Sequence, residues 1–258
     1  MHTRRFFIAL AAATTILPVF AHGNLVDVEL IDRQRNEPLP AYQHRGNVWV
    51  AGRPGSRYAV RMSNRSGQRV LVVLSVDGIN AVSGETAAPG QTGYVLGPWQ
   101  TTEITGWRKS LSEAAAFYFT ALPDSYAART DRPDNVGVIG VAVFREREPR
   151  VSQLNEQREE RARAAESESR AAPAAAPSAT GKAAGAARDE RLGTGHGERE
   201  YAPTAHTSFD RASERPAEIV RVRYDSYENL LAGGIVQRPR RPPVAPDPFP
   251  GFVPDPRG

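Results

Sequence analysis

Gln68–Gly84, which reads QRVLVVLSVDGINAVSG, predicts a β-hairpin that organises an all-β domain. Its run Val-Leu-Val-Val-Leu has no alternating polar residue, a pattern typical of a strand buried on both faces. Asp77-Gly78 follows between two β-branched residues, and Asp-Gly in that setting is the strongest short-range signal for a hairpin turn. We expect Asn80–Ser83 to return as the partner strand.

Seven further segments between His22 and Glu148 also predict strands. Turn clusters rich in Gly, Pro and Asn separate them, and no helical period lies between them, which disfavours a βαβ fold. About eight or nine short strands at roughly ten-residue spacing indicate an antiparallel β-sandwich, immunoglobulin-like or jelly-roll. Gly137 and Gly140 in the last segment predict a bulge or a close backbone approach. The segments are Leu25–Leu30, Asn47–Ala51, Arg57–Met62, Gly93–Leu96, Thr101–Trp107, Ala114–Thr120 and Val136–Phe144.

Met1–Ala21 is typical of an export signal. Arg4 and Arg5 form a positive start, an apolar stretch follows, and Val19-Phe20-Ala21 fits a cleavage site. Thr3–Ile8 resembles the twin-arginine export motif, so that route and an ordinary secretory signal are both open. The apolar stretch is too short and too rich in Ala and Thr for a membrane span. We therefore expect a periplasmic or secreted protein without a stable transmembrane anchor.

The composition excludes several chemistries. The sequence has no Cys, which excludes disulfides, thiolate catalysis and Cys-ligated zinc. The formal charge of +4 falls to about +2 once Arg4 and Arg5 leave with the signal, and both signs of charge alternate along the β region. Nucleic-acid binding needs a clustered basic face, so no nucleic-acid partner is expected. No catalytic triad, His-rich metal site or Gly-x-Ser-x-Gly elbow is present, and we expect no cofactor and no bound metal.

The predicted organisation is a signal peptide (1–21), a β-sandwich domain (22–148), a disordered linker (149–191), a small C-terminal segment (192–236) and a Pro-rich tail (237–258). The linker is charged and then rich in Ala and Pro, so it cannot bury enough apolar surface to order itself. The C-terminal segment carries an alternating strand, Ile219–Tyr224, and a short helix, Tyr227–Ala232. It is too small for a core of its own, so we expect it to dock on the sandwich, with its strand at a sheet edge.

Gly-Thr-Gly-His-Gly at residues 193–197 admits three interpretations. A Gly-rich backbone can cradle an anion, with His196 beside it. It can also form a turn past the sandwich, which we favour because the Lys-Ser/Thr of a P-loop is absent and no strand leads into it. A metal site of His196 with Glu198 and Glu200 is the weakest interpretation, because all three ligands fall within five residues.

Five residues are candidates for binding: Trp107, Arg108, Asp124, Tyr126 and His196. An aromatic ring beside cations suits a carbohydrate or an anionic envelope polymer, although Trp107 can equally be core with Arg108 stacked on it. Asp124 and Tyr126 belong to a polar stretch between two strands, and loops on rigid scaffolds often carry function. An ordinary solvated loop is the alternative.

Several segments together resemble a family of uncharacterised exported proteins from proteobacteria. The resemblance implies export, and it implies no activity, catalytic residue or cofactor. The segments that carry it are Val72–Gly78, Gly93–Leu96, Gly106–Arg108, Asp124–Ala127, Asn135–Gly140, Gly193–Gly197 and Tyr224–Tyr227.

Two functional hypotheses follow. The first is an exported, non-enzymatic β-sandwich that binds a protein or an envelope polymer such as a polysaccharide. The alternative is a hydrolase of glycans that uses a carboxylate pair drawn from Asp77, Glu85 and Asp124. Two carboxylates about 5–10 Å apart in one cleft would favour the hydrolase.

Overall fold

The computed structural model describes Ala21, residues 23–148 and residues 191–237. These residues form fourteen strands, two short α-helices and two 3₁₀ turns. The strands are β1 (Val26–Asp32), β2 (Glu37–Pro38), β3 (Ala41–His44), β4 (Asn47–Gly52), β5 (Tyr58–Asn64), β6 (Val70–Val76), β7 (Ile79–Asn80), β8 (Tyr94–Leu96), β9 (Thr101–Ile104), β10 (Gly106–Arg108), β11 (Glu113–Ala121), β12 (Val138–Arg145), β13 (Leu192–Tyr201) and β14 (Glu218–Ser226). The helices are α1 (Tyr126–Arg129) and α2 (Tyr227–Ala232), and the 3₁₀ turns are Leu122–Asp124 and Pro133–Asn135.

The strands form three sheets in two layers. The large sheet has the order β3-β4-β14-β12-β6-β7, and β8 also pairs with β6. The smaller sheets are β2-β1-β5-β9 and β10-β11-β13. Backbone hydrogen bonds from Gly55 N to Phe119 O, 2.7 Å, and from Phe119 N to Ser56 O, 3.0 Å, join the smaller sheets into one layer. The core between the layers includes Val28, Val60, Met62, Leu74, Phe117 and Val141.

The predicted fold class, an antiparallel β-sandwich, is confirmed by this architecture. The described strands pair antiparallel except for β14 with β4, which are parallel. More strands form than the sequence predicted, because short paired segments such as β2 and β3 carry too few residues to show a period.

The predicted hairpin is present at β6 and β7. Asp77 and Gly78 have φ of +53° and +76°, the left-handed pair that a type I′ turn requires. The returning strand is shorter than predicted. The carboxamide oxygen of Asn80 accepts hydrogen bonds from Val82 N at 2.7 Å and Ser83 N at 3.2 Å, and this local turn bends the chain out of the sheet.

The C-terminal strand lies inside the large sheet, so its predicted position at a sheet edge was wrong. β14 pairs with β12 on one side and with β4 on the other. Val220, Val222 and Tyr224 are buried in the common core. The physical reason is that β4 and β12 leave an open position between them, and β14 fills it.

Residues 193–197 form part of strand β13, so the favoured interpretation as a turn was also wrong. β13 pairs with β11, and a Cβ atom on Gly195 would overlap the ring of Tyr118. A Cβ atom on Gly193 would lie 2.6 Å from Ser125 Cβ. The glycines therefore let other side chains lie flat against the strand. The close backbone approach predicted as one alternative is present at Gly137, where a Cβ atom would lie 3.2 Å from Tyr224 O. A bulge occurs in β13 instead, where the register with β11 shifts between Ala115 and Phe117.

Residues 202–217 cross the outer face of the large sheet and are called the strap here. Ala212 N donates to Arg145 O at 3.0 Å, and Ala217 N donates to Val143 O at 2.8 Å. Phe209 of the strap packs on a second, smaller cluster, which consists of Leu71, Val73, Ala142 and Phe144 with Val95. The strap therefore gives this sheet a buried outer face, as the continuous apolar run in β6 predicted.

The predicted signal peptide up to Phe20, the linker from 149 to 190 and the tail from 238 onward lie outside the described residues. Within the described residues, none of the helices has the length and hydropathy of a membrane span.

Candidate functional site: an aromatic and cationic face of strand β13

The inner half of β13 takes part in a sealed polar network. Thr194 Oγ1 lies 2.7 Å from Tyr58 Oη and 2.6 Å from Tyr224 Oη. Tyr224 Oη donates to Asp77 Oδ1 at 2.6 Å, and Thr194 N donates to Asp77 Oδ2 at 2.8 Å. Gly137 N also donates to Asp77 Oδ1, at 3.0 Å. The network therefore ties the turn of the β6–β7 hairpin to both C-terminal strands.

Burial raises the pKa of Asp77 to about 6, although the hydrogen bonds from Tyr224, Thr194 and Gly137 lower it in part. The exposed fraction of Asp77 is 0%. A carboxyl group that no solute can reach cannot act on a glycan, so Asp77 is unavailable to the hydrolase hypothesis. Its role in the structure is to satisfy buried donors from three elements.

The outer half of β13 extends from the core to the surface, and one face of its sheet can be followed along the way. Cross-strand partners share a face, and Phe119 pairs with Thr194, Phe117 with His196, and Ala115 with Arg199. The extra residue of the bulge keeps Arg199 on the face that carries His196. Thr194 is buried, His196 is half-buried and Arg199 is exposed, so this face runs from the core to the surface.

Three aromatic rings meet where this face reaches the surface. Trp107 on β10 is buried, and its ring centroid lies 4.8 Å from that of Tyr126 and 6.1 Å from that of His196. The Tyr126 and His196 centroids are 5.1 Å apart. Ser125 caps α1 by accepting a hydrogen bond from Ala128 N at 3.1 Å, and this cap fixes the start of the helix that carries Tyr126. The result is an aromatic floor whose base is Trp107.

Three cations surround His196. Its pKa lies below the ordinary value because of burial and because of the positive charges of Lys109, Arg129 and Arg199. Lys109 Nζ lies 5.6 Å from the ring centroid of Tyr126. Burial and the charge of Arg199 also lower the pKa of Lys109. We call the set Lys109, Tyr126, Arg129, His196 and Arg199 the cationic face.

The cations of this face have little compensating negative charge. Among the described residues, neither Lys109 nor Arg129 forms an ion pair, and Arg199 NH1 lies 3.5 Å from Glu113 Oε2. Both side chains of that pair are largely exposed, so the ion pair stabilises weakly. An anionic ligand would therefore relieve repulsion among like charges as well as pair with them.

The structure brings together three of the five predicted binding residues, namely Trp107, Tyr126 and His196. Arg108 points elsewhere: its guanidinium lies 6.0 Å from the ring centroid of Tyr94 and donates to Ala202 O. Asp124 is exposed in the first 3₁₀ turn. Trp107 serves as core beneath the face, while Tyr126 and His196 reach its surface.

Glu198 and Glu200 turn away from His196. Arg57 donates to Glu198 at 2.8 Å and to Glu200 at 3.0 Å, and Arg33 donates to Glu200 at 2.6 Å. The carboxylates of the considered metal set are thus engaged by arginines. The described part of the chain contains no group of three or more His, Asp or Glu side chains placed to hold a metal ion.

Sequence reasoning missed Lys109, Arg129 and Arg199. The alternation of side chains along a strand could have identified Lys109 instead of Arg108. Lys109 follows Trp107 by two residues, so its side chain lies on the same side of the sheet. Arg199 could not be found in this way, because the bulge reverses the alternation of β13 before it.

No protein-family model, curated protein or solved structure matches the chain. The resemblance to exported proteins of proteobacteria therefore stays a prediction.

Proposed function

We propose that this protein is a non-enzymatic binding module for an acidic polymer of the cell envelope, and that the cationic face is its binding site. The observation that carries the proposal is geometric: Lys109 Nζ lies 5.6 Å from the Tyr126 ring, whose centroid lies 5.1 Å from that of His196, on the sheet face that also carries Arg199. The expected export signal supports the location, since it would deliver the chain to the compartment that holds such polymers.

The composition of the face suits an acidic polysaccharide in particular. Tyr126 offers a ring against which the apolar face of a sugar can pack, and the cations lie where carboxylate groups can pair with them. Exposed charges act weakly one at a time, so a polymer that contacts several of them at once gains most. A rigid floor reduces the entropy lost on binding, because Trp107 fixes both overlying rings.

Polygalacturonate, which carries one carboxylate on each sugar, is a suitable probe, with uncharged dextran as the comparison. Isothermal titration at low ionic strength should show binding of polygalacturonate that weakens as salt is added, and no binding of dextran. The triple variant Lys109→Gln, Arg129→Gln and Arg199→Gln should bind polygalacturonate about tenfold more weakly or worse.

A matched control removes the same charge from other surfaces. Arg35, Arg53 and Arg221 are exposed, and among the described residues none of them forms an ion pair. The triple Arg→Gln variant at these positions should retain the wild-type affinity. Equal weakening in both triple variants would show attraction to net charge alone and would refute the site.

His196 offers a second readout that does not depend on affinity. Bound carboxylates would offset the cations that lower its pKa, so the pKa of His196 measured by NMR should rise when polygalacturonate is added. His44 lies outside the face on β3 and should show no change. An unchanged His196 with a bound polymer would place the polymer elsewhere.

A further inference from the structure

A groove lies between the strap and strands β8 and β9. The groove has a volume of about 560 Å³ and is bounded by β8, the start of β9 and strap residues 203–211. Binding pockets for small ligands span about 300–1,000 Å³, so the groove has room for a short oligomer of a small building block.

The walls of the groove are fixed by hydrogen bonds. Arg211 NH1 donates to Gly90 O at 2.8 Å and its NH2 donates to Gln91 O at 2.5 Å, which ties the strap to the loop before β8. Arg69 NH2 donates to Ser208 O at 2.8 Å, which ties the strap to the residue that precedes β6. Asn80 Nδ2 donates to Gln91 Oε1 at 3.0 Å and holds the same loop from the other side. The groove is therefore formed before any ligand arrives.

The lining is polar but carries almost no free charge. It contains no Asp or Glu, and its arginine, Arg211, already donates to two carbonyl groups and lies over the Phe144 ring at 4.5 Å. The remaining polar side chains include the hydroxyls of Thr92, Thr102 and Thr204 and the imidazole of His206. Such groups donate and accept hydrogen bonds without selecting a charge.

Trp99 adjoins this lining in sequence, and its exposed ring lies near Gly67. It precedes the groove residue Gln100, its exposed fraction is 68%, and its φ is +58°. A bulky residue in the left-handed region persists only where its surroundings fix it. Asn64 Nδ2 donates at 2.7 Å to both Gln68 O and Gly97 O, and Trp99 N donates to Ser66 O at 3.1 Å. The loop thus presents a large aromatic surface at a defined position.

We infer that this groove binds an uncharged oligosaccharide, with Trp99 stacking on a sugar ring and the threonine side chains bonding its hydroxyl groups. The inference is independent of the cationic face, because it concerns another surface and a ligand without charge. An extended peptide pairing with the free edge of β8 is the competing occupant, and the test separates the two.

The probes are the uncharged tetrasaccharides of cellulose, starch and N-acetylchitin, titrated into the full chain. At least one should bind saturably by calorimetry, and it should shift the tryptophan emission and protect it from iodide, because Trp99 is the exposed tryptophan, while Trp49 is half-buried and Trp107 is buried. Trp99→Ala should weaken that binding about tenfold. The double variant Thr102→Val and Thr204→Val, which keeps the side-chain shape, should weaken it as well.

Tyr201→Ala is the matched control, because Tyr201 is an aromatic residue with an exposed fraction of 81% on β13. It should leave tetrasaccharide binding unchanged. Trp99→Ala should in turn leave polygalacturonate binding unchanged, so this inference and the proposed function can fail separately. The absence of saturable binding by all three tetrasaccharides at about 10 mM, a weaker affinity than most specific sites have, would overturn the inference. Protection of Tyr94 and Leu96 amides from exchange by a strand-forming peptide, with no sugar binding, would assign the groove to peptides instead.

Discussion

The β6–β7 hairpin and the C-terminal strands β13 and β14 all contribute side chains to the common core, yet their positions are specified in different ways. Asp77 and Gly78 form their turn from adjacent residues, with the left-handed conformations that this dipeptide favours. β14 finds its place through partners on both sides, β12 and β4, of which β4 lies far away in sequence. One region is thus determined by local chemistry, and the other by the gap that the rest of the sheet leaves.

The two regions meet at Asp77, and this meeting explains why the C-terminal segment belongs to the sandwich. The carboxyl group accepts hydrogen bonds from Tyr224 on β14 and from Thr194 on β13. A buried polar group without partners costs about 1–3 kcal/mol, so each region satisfies groups that the other would leave unpaired. A local turn can therefore depend on strands that follow it by more than a hundred residues.

The largest effect is expected from removing the C-terminal strands. A chain that ends at Glu148 loses the burial of Leu192, Val220, Val222 and Tyr224, together on the order of 10 kcal/mol at 1.5–3 kcal/mol for each side chain. That loss matches the stability of a typical domain. We expect no cooperative urea transition by far-UV circular dichroism, and recovery of one when a peptide of residues 191–237 is added.

The control for truncation replaces residues 149–190 with about 20 Gly and Ser residues, whose mean span of roughly 25 Å matches the length of β12. Because the described contacts of β13 and β14 are kept, this variant should unfold at the wild-type urea concentration. A cooperative transition in the truncated chain alone would show that the hairpin region folds without its distant partners.

A smaller effect on stability is expected from the pH dependence of the hydrogen-bond network at Asp77. Its pKa is about 6 in the folded chain, against an ordinary value of 3.8 for an exposed aspartate, so the folded chain holds the extra proton between those values. The contribution of Asp77 to the free energy of unfolding therefore falls as the pH rises from about 4 to about 6, by on the order of 3 kcal/mol.

The measurement compares wild type with Asp77→Asn, which does not titrate, by urea unfolding at several pH values. Other carboxyl groups contribute equally to both proteins, so their effects cancel in the difference. The stability of wild type relative to the variant should decline through this window. A difference in stability that stays constant, or that rises with pH, would contradict the raised pKa of Asp77.

The smallest effect is expected from a change confined to the turn. Gly78→Ala places a side chain at φ +76° with its Cβ 2.9 Å from Asn135 Cβ, which should cost about 1–2 kcal/mol. Gly90→Ala is the control, because nothing lies within 4 Å of its Cβ position. If both variants lost equal stability in urea, the left-handed turn would not be the local determinant that the comparison requires.

The sequence predicted the elements whose signal lies in neighbouring residues. Leu25–Leu30 and Val136–Phe144 become β1 and β12 with shifted ends, and Tyr227–Ala232 is the helix α2. The prediction failed at β13, where the glycines matter because they have no side chain. Gly195 leaves the space that the ring of Tyr118 occupies. Such a role is visible only once the partner strand is known.

The candidate site was predicted only in part, because its geometry also depends on how the strands pair. Tyr126 and His196 were identified as residue types suited to binding, but they are 70 positions apart and their ring contact depends on the pairing of β11 with β13. Arg199 reaches the face through a one-residue shift in register, which no alternation pattern in the sequence reveals.

The position of β14 sets the order in which the protein can fold as it is synthesised. Until Ser226 has left the ribosome, β4 and β12 each expose a free edge with unpaired amide and carbonyl groups. The nascent chain therefore carries two sites for wrong strand pairing during translation, and we expect it to need a chaperone until β14 has emerged. The large sheet can therefore be completed only after β14 has emerged, although the β6–β7 hairpin can form earlier.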